Sequence, residues 1–230
     1  MIEAIVLAGG FGTRLRSVVS DVPKPMAPIG DKPFLAYLMD RLAKNGVNRV
    51  ILSVGYMSEK IIEYFGYQYA GMEVIYSKED IPLGTGGAIK LALNLVLGDH
   101  VFVFNGDTFL DLEMRNVELL WQDTKKPVIV GVSVHDASRF GALKISNSGF
   151  AVDGFLEKGV QTHGIINAGC YLLPIDLLNE FENGVNFSFE KDYLETRKIN
   201  DFVFFKSSGY FIDIGIPADY KKLYMKLTNE

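Results

Sequence analysis

Three glycines fall within four positions in the run Leu7-Ala8-Gly9-Gly10-Phe11-Gly12-Thr13-Arg14-Leu15, directly after the apolar stretch Ile2–Leu7. A loop so poor in side chains exposes main-chain N–H groups and tolerates positive φ, which is what cradling a phosphate demands. Ten residues after Arg14, the segment Pro23-Lys24-Pro25-Met26-Ala27-Pro28 sets Lys24 in a proline-braced backbone with little freedom. Arg14 and Lys24 are therefore expected to converge on a polyphosphate. Two familiar phosphate loops do not account for the pattern. The Walker loop needs Lys and then Ser/Thr after its last glycine, whereas Gly12 is followed by Thr13-Arg14. The dinucleotide fingerprint needs a further glycine where Leu15 stands, and an acid closing the second strand where the chain reads Val54-Gly55-Tyr56. A Rossmann dehydrogenase is disfavoured on both counts, while a tight turn without ligand stays open on these residues alone.

Such a loop needs a sheet to hold it. The pattern predicts strands at Ile2–Leu7, Arg49–Val54, Met72–Tyr76 and Val101–Asn105, each a short apolar run of the kind buried on both faces. Between them, helical spacing predicts helices over Pro33–Asn45, Ser58–Phe65 (with Ser58 as cap) and Gly87–Leu97. That alternation predicts an α/β fold with a Rossmann-like mixed, mostly parallel central sheet and helices on both faces. The second half reads differently. Strands are expected at Pro127–Val134, Ala142–Ile145, Phe150–Leu156, Ile165–Leu172 and Asp201–Lys206, with Asn147-Ser148-Gly149 as a turn. Helices are expected over Ile175–Phe181, opened by Pro174, and over Pro217–Leu227. No Pro/Ser-rich linker separates the halves, so one domain over residues 1–230 is expected.

The composition excludes several classes. With 48% hydrophobic and 22% charged residues the chain can fill a core, which argues against disorder. A net charge of −5 argues against a nucleic-acid partner, although a few placed cations or a metal could still reverse the field around a phosphorylated substrate. The single cysteine, Cys170, rules out an internal disulfide and suits a reducing compartment. The opening MIEAIVLAGG lacks the basic and long apolar regions of a signal peptide, and no apolar run reaches the length of a membrane span. A cytoplasmic location without membrane contact is expected. A homodimer is left open, and the aromatic cluster of Tyr64, Tyr67 and Tyr69 is read as helix-end packing.

LAGGFGTRL followed by PKPM resembles the sugar nucleotidyltransferases, and the resemblance runs nearly the length of the chain. Gly84-Thr85-Gly86-Gly87 is similar to the family's second glycine segment, beside the nucleobase and ribose. Asn105-Gly106-Asp107 is similar to its metal-binding aspartate after a central strand. Glu157-Lys158 and Asn167-Ala168-Gly169 resemble its sugar-phosphate and sugar-hydroxyl segments, and Phe211-Ile212-Asp213-Ile214-Gly215 with Pro217 and Asp219 resembles its second metal aspartate and closing helix. The run Ser17–Pro28, Pro33-Phe34-Leu35 and the ending Gly209–Pro217 are most similar to the guanylyltransferase branch acting on heptose 1-phosphates. Phe140 in Ser138-Arg139-Phe140-Gly141 departs from the usual Tyr, and Lys191 adds a basic residue to Phe187–Tyr193. Mannose-1-phosphate guanylyltransfer, uridylyltransfer to another hexose 1-phosphate, and a non-catalytic nucleotide-sugar sensor remain as alternatives.

The resemblance implies a nucleotide-diphospho-sugar transferase fold, with residues 1–112 as the nucleotide-binding half and 113–230 as the sugar-phosphate-binding half. It implies GTP and a sugar 1-phosphate as substrates and Mg²⁺ held by Asp107 and Asp213. Arg14, Lys24, Asp107, Lys158 and Asp213 are the implied catalytic set, with Arg14 on the β/γ-phosphates and Lys24 on the α-phosphate. Leu7, Ala8, Gly9, Gly10, Gly12 and Thr13 would bind the nucleotide, with Gly84, Thr85, Gly86, Asn105 and Gly106. Gly141, Glu157, Lys158, Asn167 and Gly169 would bind the sugar phosphate. A phosphate monoester is already largely anionic at neutral pH, so no general base is needed. That suits a chain whose histidines, His100, His135 and His163, stand outside these motifs.

Overall fold

The computed structural model describes residues 1–10, 21–156, 163–197 and 201–228. Four parallel strands make the centre of the sheet, ordered β4-β1-β2-β3: β1 (Ile2–Leu7), β2 (Val47–Val54), β3 (Met72–Lys78) and β4 (His100–Asn105). The two-residue strand Gln68–Tyr69 closes the β3 edge. Short β5 (Thr108–Leu110) leaves the main sheet. It is followed by β6 (Val128–Val134), β7 (Ala142–Ile145), β8 (Val152–Leu156), β9 (Gly164–Pro174), β10 (Val203–Ser207) and β11 (Phe211–Asp213). The eleven-residue β9 runs antiparallel to β4, β6 and β7, so it stitches the second half of the chain onto the parallel centre. The expected mixed sheet with a parallel core is the one observed.

Strand alternation divides the core between two faces. Ala4, Val6, Val50, Leu52, Phe102 and Phe104 point to one face. There they meet α1 (Phe34–Lys44), α2 (Ser58–Phe65) and α4 (Met114–Thr124) through Leu38, Met39, Phe65, Val117 and Trp121. Ile5, Ile51, Val101 and Val103 point to the other, against α3 (Gly84–Leu93) and a five-residue π-helix, Phe189–Tyr193. A third, smaller cluster joins Ile29, Phe34, Ile212, Ile214 and Leu223, clamping β11 between the Pro28–Pro33 hairpin and α5 (Pro217–Thr228).

Several expectations are corrected. Ser58 does not cap α2: Met57 stands at the cap with φ of 54°, and Ser58 is buried as the first helical residue. Helix α3 begins at Gly84 rather than Gly87 and ends at Leu93. The helix expected over Ile175–Phe181 is a series of turns, in which Leu177, Asn179 and Phe181 donate to carbonyls three residues back. Pro174 ends β9 instead of opening a helix, because that strand pairs through to His100 of β4. The helix α4 has no counterpart in the sequence-based expectation. No helix among the described residues is long and apolar enough to cross a membrane.

Phe34 is fully buried in the small cluster under β11. Phe34→Ala is expected to lower stability by about 3–5 kcal/mol through the cavity it leaves. Urea unfolding read from the transition midpoint checks this; a cost below about 1 kcal/mol would show that the cluster does not hold β11 in place.

Candidate active site

The four parallel strands end together, and a cavity of about 610 Å³ opens across their carboxyl ends. Ligands of open α/β sheets bind at this edge. Leu7, Gly9 and Gly10 line it from the end of β1, Ser53, Gly55 and Tyr56 from β2, and Asn105, Gly106 and Asp107 from β4. The stretch after β3 supplies Glu79 to Pro82, and α3 adds Gly84 and Thr85. Gly106 is required by close approach: its N–H donates to the Leu7 carbonyl at 3.0 Å, and a Cβ there would meet the Leu7 backbone.

The acids at one end of this cavity come from distant parts of the sequence. β5 and β11 pair antiparallel with Thr108 opposite Asp213, and the Ile214 N–H donates to the Asp107 carbonyl at 3.0 Å. This two-stranded ribbon is why Asp107 and Asp213 become neighbours. Lys24 Nζ lies 2.5 Å from Asp107 Oδ2 and 3.8 Å from Asp213 Oδ1, with its side chain 8% exposed. The 3-10 turn Lys24–Met26 fixes that ammonium, as Met26 and Ala27 donate to the Pro23 and Lys24 carbonyls. Asp213 Oδ1 also accepts from the Gly215 N–H at 2.5 Å. Two carboxylates closing on one buried ammonium already make a cation site. Among the described residues no group of three or more His, Cys, Asp or Glu side chains gathers as a metal cage. Mg²⁺ does not need one, because it completes its shell with phosphate oxygens and water. The donor set therefore fits it.

The second glycine segment meets protein on one side and the cavity on the other. The Gly86 N–H is given to the Phe187 carbonyl at 2.9 Å, and the Phe187 N–H returns to Leu83. A Cβ on Gly84 would lie 2.5 Å from the Phe187 oxygen. Thr85 Oγ1 donates to Glu190 Oε2 and accepts from the Phe189 N–H, both at 2.8 Å. These glycines are small because the Phe187–Tyr193 segment packs against them; Gly84 and Thr85 still line the cavity, while Gly86 does not. Ala8 is likewise buried, with its N–H donated to Ser53.

Of the expected sugar-side residues that are described, Gly141, Asn167 and Gly169 do not line this cavity, although Gly169 abuts its Asn105. Asn167 and Gly169 form a bulge in β9, in which Asn167 Oδ1 accepts from the Gly169 N–H and Asn167 Nδ2 donates to Tyr171 Oη. The Asn167 amide thus makes two hydrogen bonds within the bulge and keeps one N–H and one lone pair. Gly169 has φ of 64° and abuts Asn105, whose Oδ1 is buried without a protein partner. Gly141 accepts from the Asn167 N–H through its carbonyl, leaving its Cα side open. Phe140 packs edge-on against Phe211 of β11, and Arg139 pairs with Asp219 of α5 at 2.8 Å. Lys191 is exposed on the π-helix. Gly12, Thr13, Arg14, Glu157 and Lys158 lie outside the described residues. His100 is engaged with Asp99 and Glu118, and His135 faces His163 at 3.2 Å; none of the three lines the cavity.

The profile of the nucleotidyl transferase family matches residues 3–230. The chain belongs to that family. It is 42% identical over 218 residues to a D-glycero-alpha-D-manno-heptose 1-phosphate guanylyltransferase of Campylobacter jejuni, covering 95% of this chain and 96% of the relative. A protein of the same description from Aneurinibacillus thermoaerophilus is 42% identical over 229 residues, covering 99% of both. The crystal structure of HddC from Yersinia pseudotuberculosis superposes with a TM-score of 0.89 at 41% identity, over 99% of this chain and 100% of that one. The same protein complexed with GMP-PN superposes at 0.88, with the same identity and coverage. The transferase has the fold and the length of these relatives. Glu79 and Ser53 are cavity residues that the sequence reading passed over. The signal for Glu79 was an acid closing the third strand just before the glycine segment.

Lys24→Met is expected to leave Asp107 and Asp213 repelling one another. With both acids partly exposed, the cost is about 1–2 kcal/mol, or a fall of about 2–8 °C in Tm. Millimolar Mg²⁺ should restore more of the variant's Tm than it adds to the wild type's. Thermal melts with and without Mg²⁺ check this, and an unchanged metal-free Tm would count against the shared cation site.

Proposed function

We propose that this transferase moves a guanylyl group from GTP to D-glycero-α-D-manno-heptose 1-phosphate, releasing pyrophosphate. The observation that carries the reading is the pairing of Asp107 and Asp213 around Lys24 at the mouth of a cavity edged by Gly9 and Gly10. The heptose and the guanylyl donor are supported by the full-length relatives of that description and by HddC complexed with GMP-PN.

The reaction joins two polyanions, so charge neutralisation and alignment carry most of its catalysis. Asp107 and Asp213 would hold Mg²⁺, which would supply positive charge to offset that of the phosphates and polarise the phosphorus under attack. Lys24, anchored by its proline-braced turn, brings a positive charge to the same place and serves the α-phosphate in the transition state. Main-chain groups of Leu7, Gly9 and Gly10, followed by Gly12 and Thr13, cradle the triphosphate. Arg14 holds the departing pyrophosphate, and Lys158 with Glu157 receives the sugar phosphate. The acceptor oxygen attacks in line without surrendering a proton, because its monoester is already largely ionised at neutral pH. Residues 1–112 form the donor half and 113–230 the acceptor half, and the product serves surface polysaccharide synthesis.

Pyrophosphate release from GTP, UTP, CTP, ATP and dTTP, each with heptose, mannose, glucose and N-acetylated sugar 1-phosphates, tests the assignment. GTP with the heptose 1-phosphate is expected to give the highest kcat/KM; a clear preference for another pair replaces the reading. Asp107→Asn and Asp213→Asn should each lower kcat by at least about 10²-fold while circular dichroism stays native. Near-normal turnover in both removes the metal assignment. Lys158→Ala should raise KM for the sugar phosphate far more than for GTP, and the opposite pattern would exchange the two pockets.

A further inference from the structure

His135 and His163 stand outside the cavity and have no part in the chemistry above. Sheet register brings them together. β6 and β9 run antiparallel with Val134 opposite Gly164, so the next position outward sets His135 opposite His163. Residues opposed in this way carry their Cβ atoms about 4.5–5.5 Å apart on one face. The strands behind them are firmly seated, with Val130, Val132 and Ile166 buried. Both imidazoles are exposed, and Nδ1 of His135 lies 3.2 Å from Nε2 of His163. The rings stand at 86° with centroids 5.1 Å apart, so they do not stack.

An N–H···N hydrogen bond spans that distance, and so does a shared metal ion. Zn²⁺ binds an imidazole nitrogen at about 2.0–2.1 Å. Two nitrogens 3.2 Å apart therefore subtend about 100° at such an ion, close to the tetrahedral angle. The exchange balances without gain or loss of a proton. Each ring stays neutral, turns a lone pair to the ion and keeps its N–H on the far nitrogen. Because paired strands fix both backbones, little freedom is lost when the ion arrives.

The donor type sets the class of ion. Imidazole suits zinc, nickel and copper, whereas Mg²⁺ takes oxygen ligands. Asp136, next in sequence, turns Oδ1 to Ser138, accepting from its N–H at 3.0 Å and its Oγ at 2.6 Å. Among the described residues no third His, Cys, Asp or Glu joins the pair. Half of a four-coordinate shell is thus left to water or an outside donor. Gly141 follows His135 by six residues and Lys158 precedes His163 by five. An ion on the pair ties together the two stretches of chain that carry the expected acceptor residues.

We propose that His135 and His163 form a two-imidazole site for a divalent ion of the zinc class, separate from the Asp107–Asp213 pair and selective against Mg²⁺. The proposal stands independently of which nucleotide or sugar phosphate the enzyme uses.

Equilibrium dialysis of the untagged, metal-stripped chain against Zn²⁺ tests it, with millimolar Mg²⁺ present to occupy the aspartates. Wild type is expected to bind one Zn²⁺ that His135→Gln and His163→Gln each bind about 10²-fold more weakly, since each keeps one donor of a chelating pair. The double variant should fall within about threefold of either single one, because the first loss already breaks the chelate. Mg²⁺-dependent pyrophosphate release at the wild-type rate shows that the variants are folded. Equal Zn²⁺ affinity in wild type and both single variants overturns the proposal, as does a loss confined to one of them. Electron paramagnetic resonance of the wild type loaded with one Cu²⁺ decides the matter if a variant does not fold. Coupling to two imidazole nitrogens is expected; coupling to one or none leaves the pair as a hydrogen bond and overturns the site.

Discussion

Two carboxylates and one ammonium in contact set the terms for the rest of this molecule. Asp107 comes from the middle of the sequence and Asp213 from near its end, and like charges do not approach without a cation between them. The sheet delivers Asp107 at the end of β4. Asp213 arrives only because β11 pairs with β5, and β11 is held there by the Ile29, Phe34, Ile212, Ile214 and Leu223 cluster. Lys24 supplies the cation from a turn that prolines hold rigid. Hydrophobic packing thus does the mechanical work of assembling a charged centre. The Pro28–Pro33 hairpin and α5, packed on either side of β11, keep that ribbon aligned.

The same division between packing and chemistry runs through the glycine segments. Gly9, Gly10 and Gly84 all line the cavity, yet Gly9 is also pressed against Glu79 and Gly55, and Gly84 and Gly86 make room for Phe187. The exchange among Thr85, Glu190 and the Phe189 N–H ties the start of α3 to the π-helix. The wall of the cavity is therefore braced from the second half of the chain.

Much of this was legible in the sequence because the central strands are buried on both faces and read as unbroken apolar runs. β1, β2 and β4 fall within two residues of their predicted bounds for that reason. That Gly9, Gly10, Lys24 and Asp107 gather at one place was legible too, and all four line the same cavity. What escaped detection was tertiary. Helix α4 buries only Met114, Val117 and Trp121, a narrow stripe in an otherwise polar stretch. The Pro174 expectation failed because strand pairing with His100 outweighed the local preference of proline for a helix start. The amide of Asn167 hydrogen-bonds within a bulge of β9, and no local pattern reveals a bulge. Glu79 was passed over because a single acid after a strand is common, and only the convergence of β1, β2 and β3 marks it out.

Strand β9 has a consequence for how such enzymes can diversify. Its C-terminal half lies along β4, while its N-terminal half meets β7, and β6 follows it on both sides of the bulge at Asn167–Cys170. A hybrid gene joined within Gly164–Pro174 would have to preserve the two extra residues of that bulge, since losing one of them would turn every side chain beyond the junction to the wrong face. New acceptor preferences are accordingly easier to acquire by altering surface loops than by swapping whole halves between paralogues.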